Sequence, residues 1–168
     1  MKKTLLLLVA FLALSINLSA KETMSMTDTD GTTYSVIGDE NKLKIEGMEG
    51  KVVFLELFGL KCPACKDALP NLINLQTKYK DKLKIMAIEV QKHDVKPINA
   101  YKEEHHLNYT TLSNFDVGLV VRYIADKSGW QGEIPFMVAI DAQGNVQFAQ
   151  SGMLPEKVLA KYIEKFSK

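Results

Sequence analysis

KVVFLELFGLKCPACKDALP, residues 51–70, passes from an apolar run through a short turn into a segment with helical spacing. Val52 to Phe58 is almost continuously apolar, the pattern of a central strand covered on both faces. Gly59-Leu60-Lys61 turns the chain and Cys62 opens a helix, with Pro63 in the first turn, where a missing amide costs nothing. Leu69, Leu72, Ile73, Leu75 and Tyr79 then recur mostly at three- and four-residue intervals and give the helix one apolar face. Pro70 lies inside this pattern and is expected to kink it.

Working upstream, Thr32 to Ile37 has the composition of an edge strand, followed by a glycine- and charge-containing connection up to Gly50. Residues 21–30 are polar, rich in Thr and Met, and are expected to form a flexible leader. Downstream, Lys84 to Val90 reads as a second buried strand, Pro97 to His106 as a polar helix and Asp116 to Ile124 as a shorter, more apolar one. Phe136–Asp141 and Val146–Gln150 flank Ala142-Gln143-Gly144-Asn145, a hairpin signal. A closing helix is expected from Pro155 to about Phe166, with Val158, Leu159, Tyr162, Ile163 and Phe166 facing inward. The succession strand, helix, strand, helix, antiparallel hairpin, helix implies an α/β fold: a mixed sheet with helices on both faces. No repeat or low-complexity linker divides residues 31–168, so they are expected to form one domain.

The chain has 168 residues, 46% of them apolar and 24% charged, enough for one real core. Its start does not belong to that core. Met1-Lys2-Lys3 is basic, Leu5 to Leu14 is apolar, and Ser15 to Ala20 is polar and small, the order of a secretory signal peptide over residues 1–20. The apolar run is shorter than the roughly 20 residues a membrane-spanning helix needs, so cleavage is favoured over an uncleaved anchor. The expected location is periplasmic or otherwise extracytoplasmic. Without the two lysines of residues 1–20, 19 basic residues face 20 acidic ones, a near balance that argues against nucleic-acid binding.

Cys62 and Cys65 are the only cysteines. Two cysteines this close enclose almost no loop, so their bond would restrict the unfolded chain little, and a structural staple is a weak reading. A zinc half-site needs further ligands, and His93, His105 and His106 have no metal-site spacing to the pair; no metal is expected. A redox pair fits better. Cys62 at a helix start meets free backbone amides and the positive end of the dipole, which lower a thiol pKa from its usual ~8.5. Lys61 next door is read as a solvent-facing charge. Glu56 is the one ionisable side chain inside VVFLELF. Burial there costs several kcal/mol unless the carboxyl is paired, for instance with Lys84 or Lys66, or takes up a proton.

Together, KVVFLELFGLKCPACKDALP and IPFMVAIDAQGNVQFAQSG (residues 134–152) resemble the thioredoxin superfamily. The extra helical material before Ile134, the N-terminal strand and the export signal resemble its extracytoplasmic TlpA/ResA/CcmG branch. The resemblance implies a thioredoxin fold with an N-terminal strand extension and a helical insertion, and the activity of a thiol–disulfide oxidoreductase. It makes Cys62 the attacking thiolate and Cys65 the resolving thiol, with Glu56 as proton acceptor for Cys65. Pro63 and Ala64 would tune the potential, since strong oxidants of the family carry histidine where Ala64 stands. It further implies a cis bond before Pro135, with the Ile134 backbone offered to an extended partner peptide. Trp130, Phe58, Leu60 and Phe136 would supply an apolar rim, while Tyr101, His105 and His106 read as a solvated helix face.

Two positions depart from the branch: Lys61 stands where tryptophan is frequent, and Ala68 where a glutamate usually follows the second cysteine by three residues. The expected function is reduction of disulfides in exported proteins, apocytochrome c among them, by a monomer with no cofactor beyond its own disulfide. Electrons would come from a membrane thiol donor of DsbD/CcdA type. A thiol oxidase or isomerase, and a redox-inactive CxxC module for Cu(I) or haem-related partners, are the alternatives.

Overall fold

The computed structural model describes residues 21–168; the segment read as a signal peptide, residues 1–20, lies outside the described residues. In chain order the strands are Glu22–Thr27 (β1), Thr33–Asp39 (β2), Lys42–Ile45 (β3), Val52–Phe58 (β4), Leu83–Glu89 (β5), Thr110–Ser113 (β6), Phe136–Ile140 (β7) and Val146–Ser151 (β8). The helices are Pro63–Lys78 (α1), Val95–Glu104 (α2), Asn114–Ser128 (α3) and Glu156–Phe166 (α4). Five strands form a mixed sheet in the order β6-β5-β4-β7-β8, and β1, β2 and β3 form a separate antiparallel sheet. Strand β4 pairs parallel with β5 and antiparallel with β7, so a strand buried at every position lies at the centre of the main sheet.

Because side chains alternate across a strand, β4 feeds two cores. Val53, Leu55 and Leu57 join Met24, Met26 and Val36 of the small sheet and Val120 and Ile124 of α3. Val52, Phe54 and Phe58 join Leu69, Leu72 and Leu75 of α1 and Leu159 and Ile163 of α4. Each buried leucine of α1 contributes about 1.5–3 kcal/mol, against about 1 kcal/mol for a helix cap. Tertiary packing therefore holds α1 in place. Gln76 adds a specific tie, donating from Nε2 to the Leu83 carbonyl (3.0 Å) and accepting from the Ile85 amide (2.7 Å). The β7–β8 hairpin forms where its turn residues place it: Asp141 accepts from the Gln143 and Asn145 amides, and Gly144 takes a φ of +83°.

Three expectations are corrected. Residues 21–30 are not a loose leader, because β1 runs through them and Met24 and Met26 are buried. The strand after Thr32 is not at an edge, since β2 lies between β1 and β3. The stretch between Glu104 and Asn114 also carries a strand, β6, which extends the main sheet beyond β5. Helix α1 runs on through Pro70, whose position faces solvent, and α3 carries an irregular turn at Val117 (φ −132°, ψ 16°).

Candidate active site

The carboxyl end of β4 delivers the chain into a turn in which the Cys62 amide donates to the Gly59 carbonyl at 3.2 Å. Cys62 is the N-cap of α1, one position before the helix proper, with extended backbone (φ −108°, ψ 106°) and Pro63 next. Its Sγ accepts from the Cys65 amide at 3.1 Å, so sulfur takes one of the unpaired donors of the helix start. Cys62 and Cys65 are joined as a disulfide. Cys62 is 8% exposed and Cys65 fully buried, and Lys61, Pro63 and Ala64 around them are exposed. Only one end of the pair is presented to a partner.

Glu56 is 1% exposed, and neither carboxylate oxygen has a hydrogen-bond partner. Burial pushes its pKa up from 4.5 to about 8. Neither expected lysine reaches it. Lys66 is exposed on α1, and Lys84 precedes Ile85 on β5, so it points to the opposite face from Glu56. Glu56 alternates with Phe54 and Phe58 on the face whose core includes both cysteines.

Two tyrosines enter this site unannounced by the sequence. Tyr101 of α2 is buried, not part of a solvated face, and its ring lies 6.1 Å from that of Phe58. Tyr109, just before β6, is buried in the same core, and both hydroxyls lack hydrogen-bond partners. Burial, and then the charge of Glu56, raises both phenol pKa values. A hydroxyl in a mixed segment gives no sequence signal, because the strand that covers it is some 50 residues away in the chain.

The Ile134–Pro135 peptide is cis. Ile134 is half-buried and packs against the core that contains the cysteines. Trp130 packs at 6.2 Å from Phe136 and donates from its indole to the Glu133 carbonyl (2.7 Å).

The model of the AhpC/TSA family matches residues 17–149, most of the chain. The chain belongs to the AhpC/TSA family. Among curated relatives, ResA of Bacillus cereus, a thiol-disulfide oxidoreductase, is 24% identical over 127 residues. That match covers 75% of this chain and 69% of the relative. ResA of Bacillus thuringiensis subsp. konkukian is 26% identical over 129 residues, with the same coverage of both chains. A thiol:disulfide interchange protein of the thioredoxin family from Chlorobium tepidum superposes with a TM-score of 0.72 at 18% identity, covering 89% of this chain and 96% of its own. StoA of Bacillus subtilis superposes at 0.63 and 14% identity, covering 86% and 98%. The fold of this AhpC/TSA-family member is that of thioredoxin, and its activity is that of a thiol–disulfide oxidoreductase of ResA type built on Cys62 and Cys65.

Proposed function

We propose that the protein reduces disulfides in exported proteins, with Cys62 attacking, Cys65 resolving and Glu56 taking the resolving proton. The buried, unpaired Glu56 carboxyl on the cysteine side of the sheet carries this reading. In the first step the Cys62 thiolate attacks one sulfur of the substrate disulfide and releases the other as a thiolate, which picks up a proton. Cys65 then gives its proton to Glu56, directly or through a bridging water, and attacks Cys62 Sγ. This releases the second substrate thiol and leaves the Cys62–Cys65 disulfide, two electrons having passed to the substrate. A carboxyl held near pH 8 suits this transfer, because its affinity for the proton lies close to that of the thiol it serves.

The basic, apolar and small-residue order of residues 1–20 and the named relatives support an extracytoplasmic site of action. A membrane dithiol of DsbD/CcdA type would return the electrons, Ile134 and Pro135 would receive the substrate backbone, and apocytochrome c thiols are among the fitting targets. Ala64 supplies no charge to stabilise a thiolate, which favours the reducing direction.

The test is insulin reduction by wild type and Cys62→Ala, together with the equilibrium potential against glutathione. Wild type alone is expected to reduce insulin, at a potential near the reducing end of the family's span of about −270 to −120 mV. A potential above about −150 mV would overturn the reducing direction in favour of an oxidase.

A further inference from the structure

Glu89, at the end of β5, is a second carboxylate with no exposed surface, and the redox chemistry above makes no use of it. It sits in register with Phe58 of β4 and Ser113 of β6, at the end of the sheet where the chain turns toward Cys62. Unlike Glu56 it is fully occupied. One oxygen accepts the Gln91 amide (3.0 Å) and lies 2.9 Å from His93 Nδ1, and the other accepts the His93 amide (2.9 Å). The His93 carbonyl in turn accepts from Ser113 Oγ at 3.0 Å, and the Val90 amide donates to the Phe58 carbonyl at 2.9 Å. Residues 90–93 are thereby fixed against the ends of three strands.

Gln91 carries that order to the cysteines. Its Oε1 accepts the Lys61 amide at 2.9 Å, across 30 residues of sequence. Lys61 is the third residue of the turn closed by the Cys62 amide and the Gly59 carbonyl, and its N–H belongs to the turn's central peptide. That peptide is the one that reverses when a turn converts between its two common forms, and a bond to its N–H holds one of them. The Gln91 side chain also packs against Gly59, where a Cβ would overlap Gln91 Cδ, so an alanine at this position would have to push the Gln91 side chain aside.

We propose that Gln91, anchored by Glu89, is a positioning residue that clamps the Gly59–Cys62 turn and so holds Cys62 at the N-cap of α1. The inference rests on Cys62 being the attacking thiol. Without the clamp the turn samples its alternative form, Cys62 leaves its place over the Cys65 amide, and the thiolate loses a hydrogen bond. Gln91 is exposed and water competes for its bond, so the effect belongs at the low end for one hydrogen bond, about two- to fivefold.

The reduced protein is alkylated with iodoacetamide across a pH series, with thiolate absorbance followed in parallel, for wild type, Gln91→Leu, Gly59→Ala and the double variant. No charge changes, since Lys61, Lys66, Glu56, Glu89, Lys92 and His93 are all retained; a shift therefore reports geometry. Gln91→Leu is expected to slow alkylation of Cys62 at neutral pH by about two- to fivefold and move the thiolate midpoint up, at an unchanged Tm. Gly59→Ala should do the same, and the double variant should be no worse than either single one. A folded Gln91→Leu protein with the wild-type midpoint and rate overturns the proposal, as does a double variant whose effects simply add. Peptide mapping separates the two levels of the argument. Alkylation first at Cys65 in wild type removes the attacker assignment, whereas an unaffected Cys62 in Gln91→Leu removes only the clamp.

Discussion

Two buried glutamates, 33 positions apart in the chain, have been given opposite treatment by the fold. Glu89 is bonded by the Gln91 and His93 amides and by His93 Nδ1, while neither oxygen of Glu56 has a partner. The consequence for Glu56 is a stability term with a definite sign. Its folded pKa of about 8 lies above the ordinary 4.5, so the native state holds a proton that the unfolded chain has released. The native state is thus favoured relatively most below pH 4.5, loses that advantage as pH rises from 4.5 to about 8, and changes no further above. Glu56→Gln removes the dependence. The variant is expected to match wild type near pH 4 and to exceed it by a few kcal/mol at pH 8.5 in urea denaturation. It should also change the pH profile of Cys65 thiolate formation, from which the titration of Glu56 would drop out. Parallel stability curves from pH 4 to 8.5 would sink the claim that Glu56 titrates high. Glu56 was legible in the sequence because a charge inside VVFLELF is conspicuous; Glu89 closes a similar run but looks like the ordinary polar end of a strand.

Elements whose hydropathy pattern matches their burial were read correctly, and those that depend on distant partners were not. Strands β4, β5 and β7 are apolar nearly throughout, and the β7–β8 hairpin announces itself by its turn residues. Strand β6 is Thr-Thr-Leu-Ser, four buried residues of which three are polar. Its polarity is satisfied from elsewhere: Thr111 Oγ1 lies 2.8 Å from Thr29 Oγ1, and Ser113 Oγ donates to the His93 carbonyl. No local periodicity can reveal such a strand. The same logic applies to Gln76, a buried polar residue on the apolar face of α1, where an aliphatic side chain would satisfy the helical pattern equally well. Gln76→Leu keeps the volume but strands the Ile85 amide and the Leu83 carbonyl between helix and sheet. It is expected to cost about 1–3 kcal/mol in chemical denaturation without altering insulin reduction. A loss under about 0.5 kcal/mol would mean that these backbone groups find other partners.

At the scale of the whole molecule, the small sheet is the part that composition alone disguised. Glu22 to Thr27 offers only methionines at alternate positions among polar residues, a pattern equally at home in a tail. In the structure β1 pairs with β2 along its whole length, and Met26, fully buried, meets the core shared by β4 and α3. Beyond the strand, Asp28 closes the following turn by accepting from the Asp30 and Thr32 amides, and the Thr29 amide donates to the Thr111 carbonyl. The N-terminal segment is thus tied to β6, and through β6 and β5 to the Glu89–Gln91 end of the sheet. That continuity makes the cost of losing it specific. Met26→Ala is expected to destabilise the protein by about 2–5 kcal/mol, the cost of emptying a packed core position. Deleting residues 21–30 should go further, exposing Val36, which pairs with Met24, and lower Tm by more than the single substitution does. Cys62 lies on the other face of the main sheet, so alkylation of Cys62 in the Met26→Ala protein should stay near the wild-type rate below its Tm. Equal Tm values for wild type and the deletion would show that the segment is carried by the fold without supporting it.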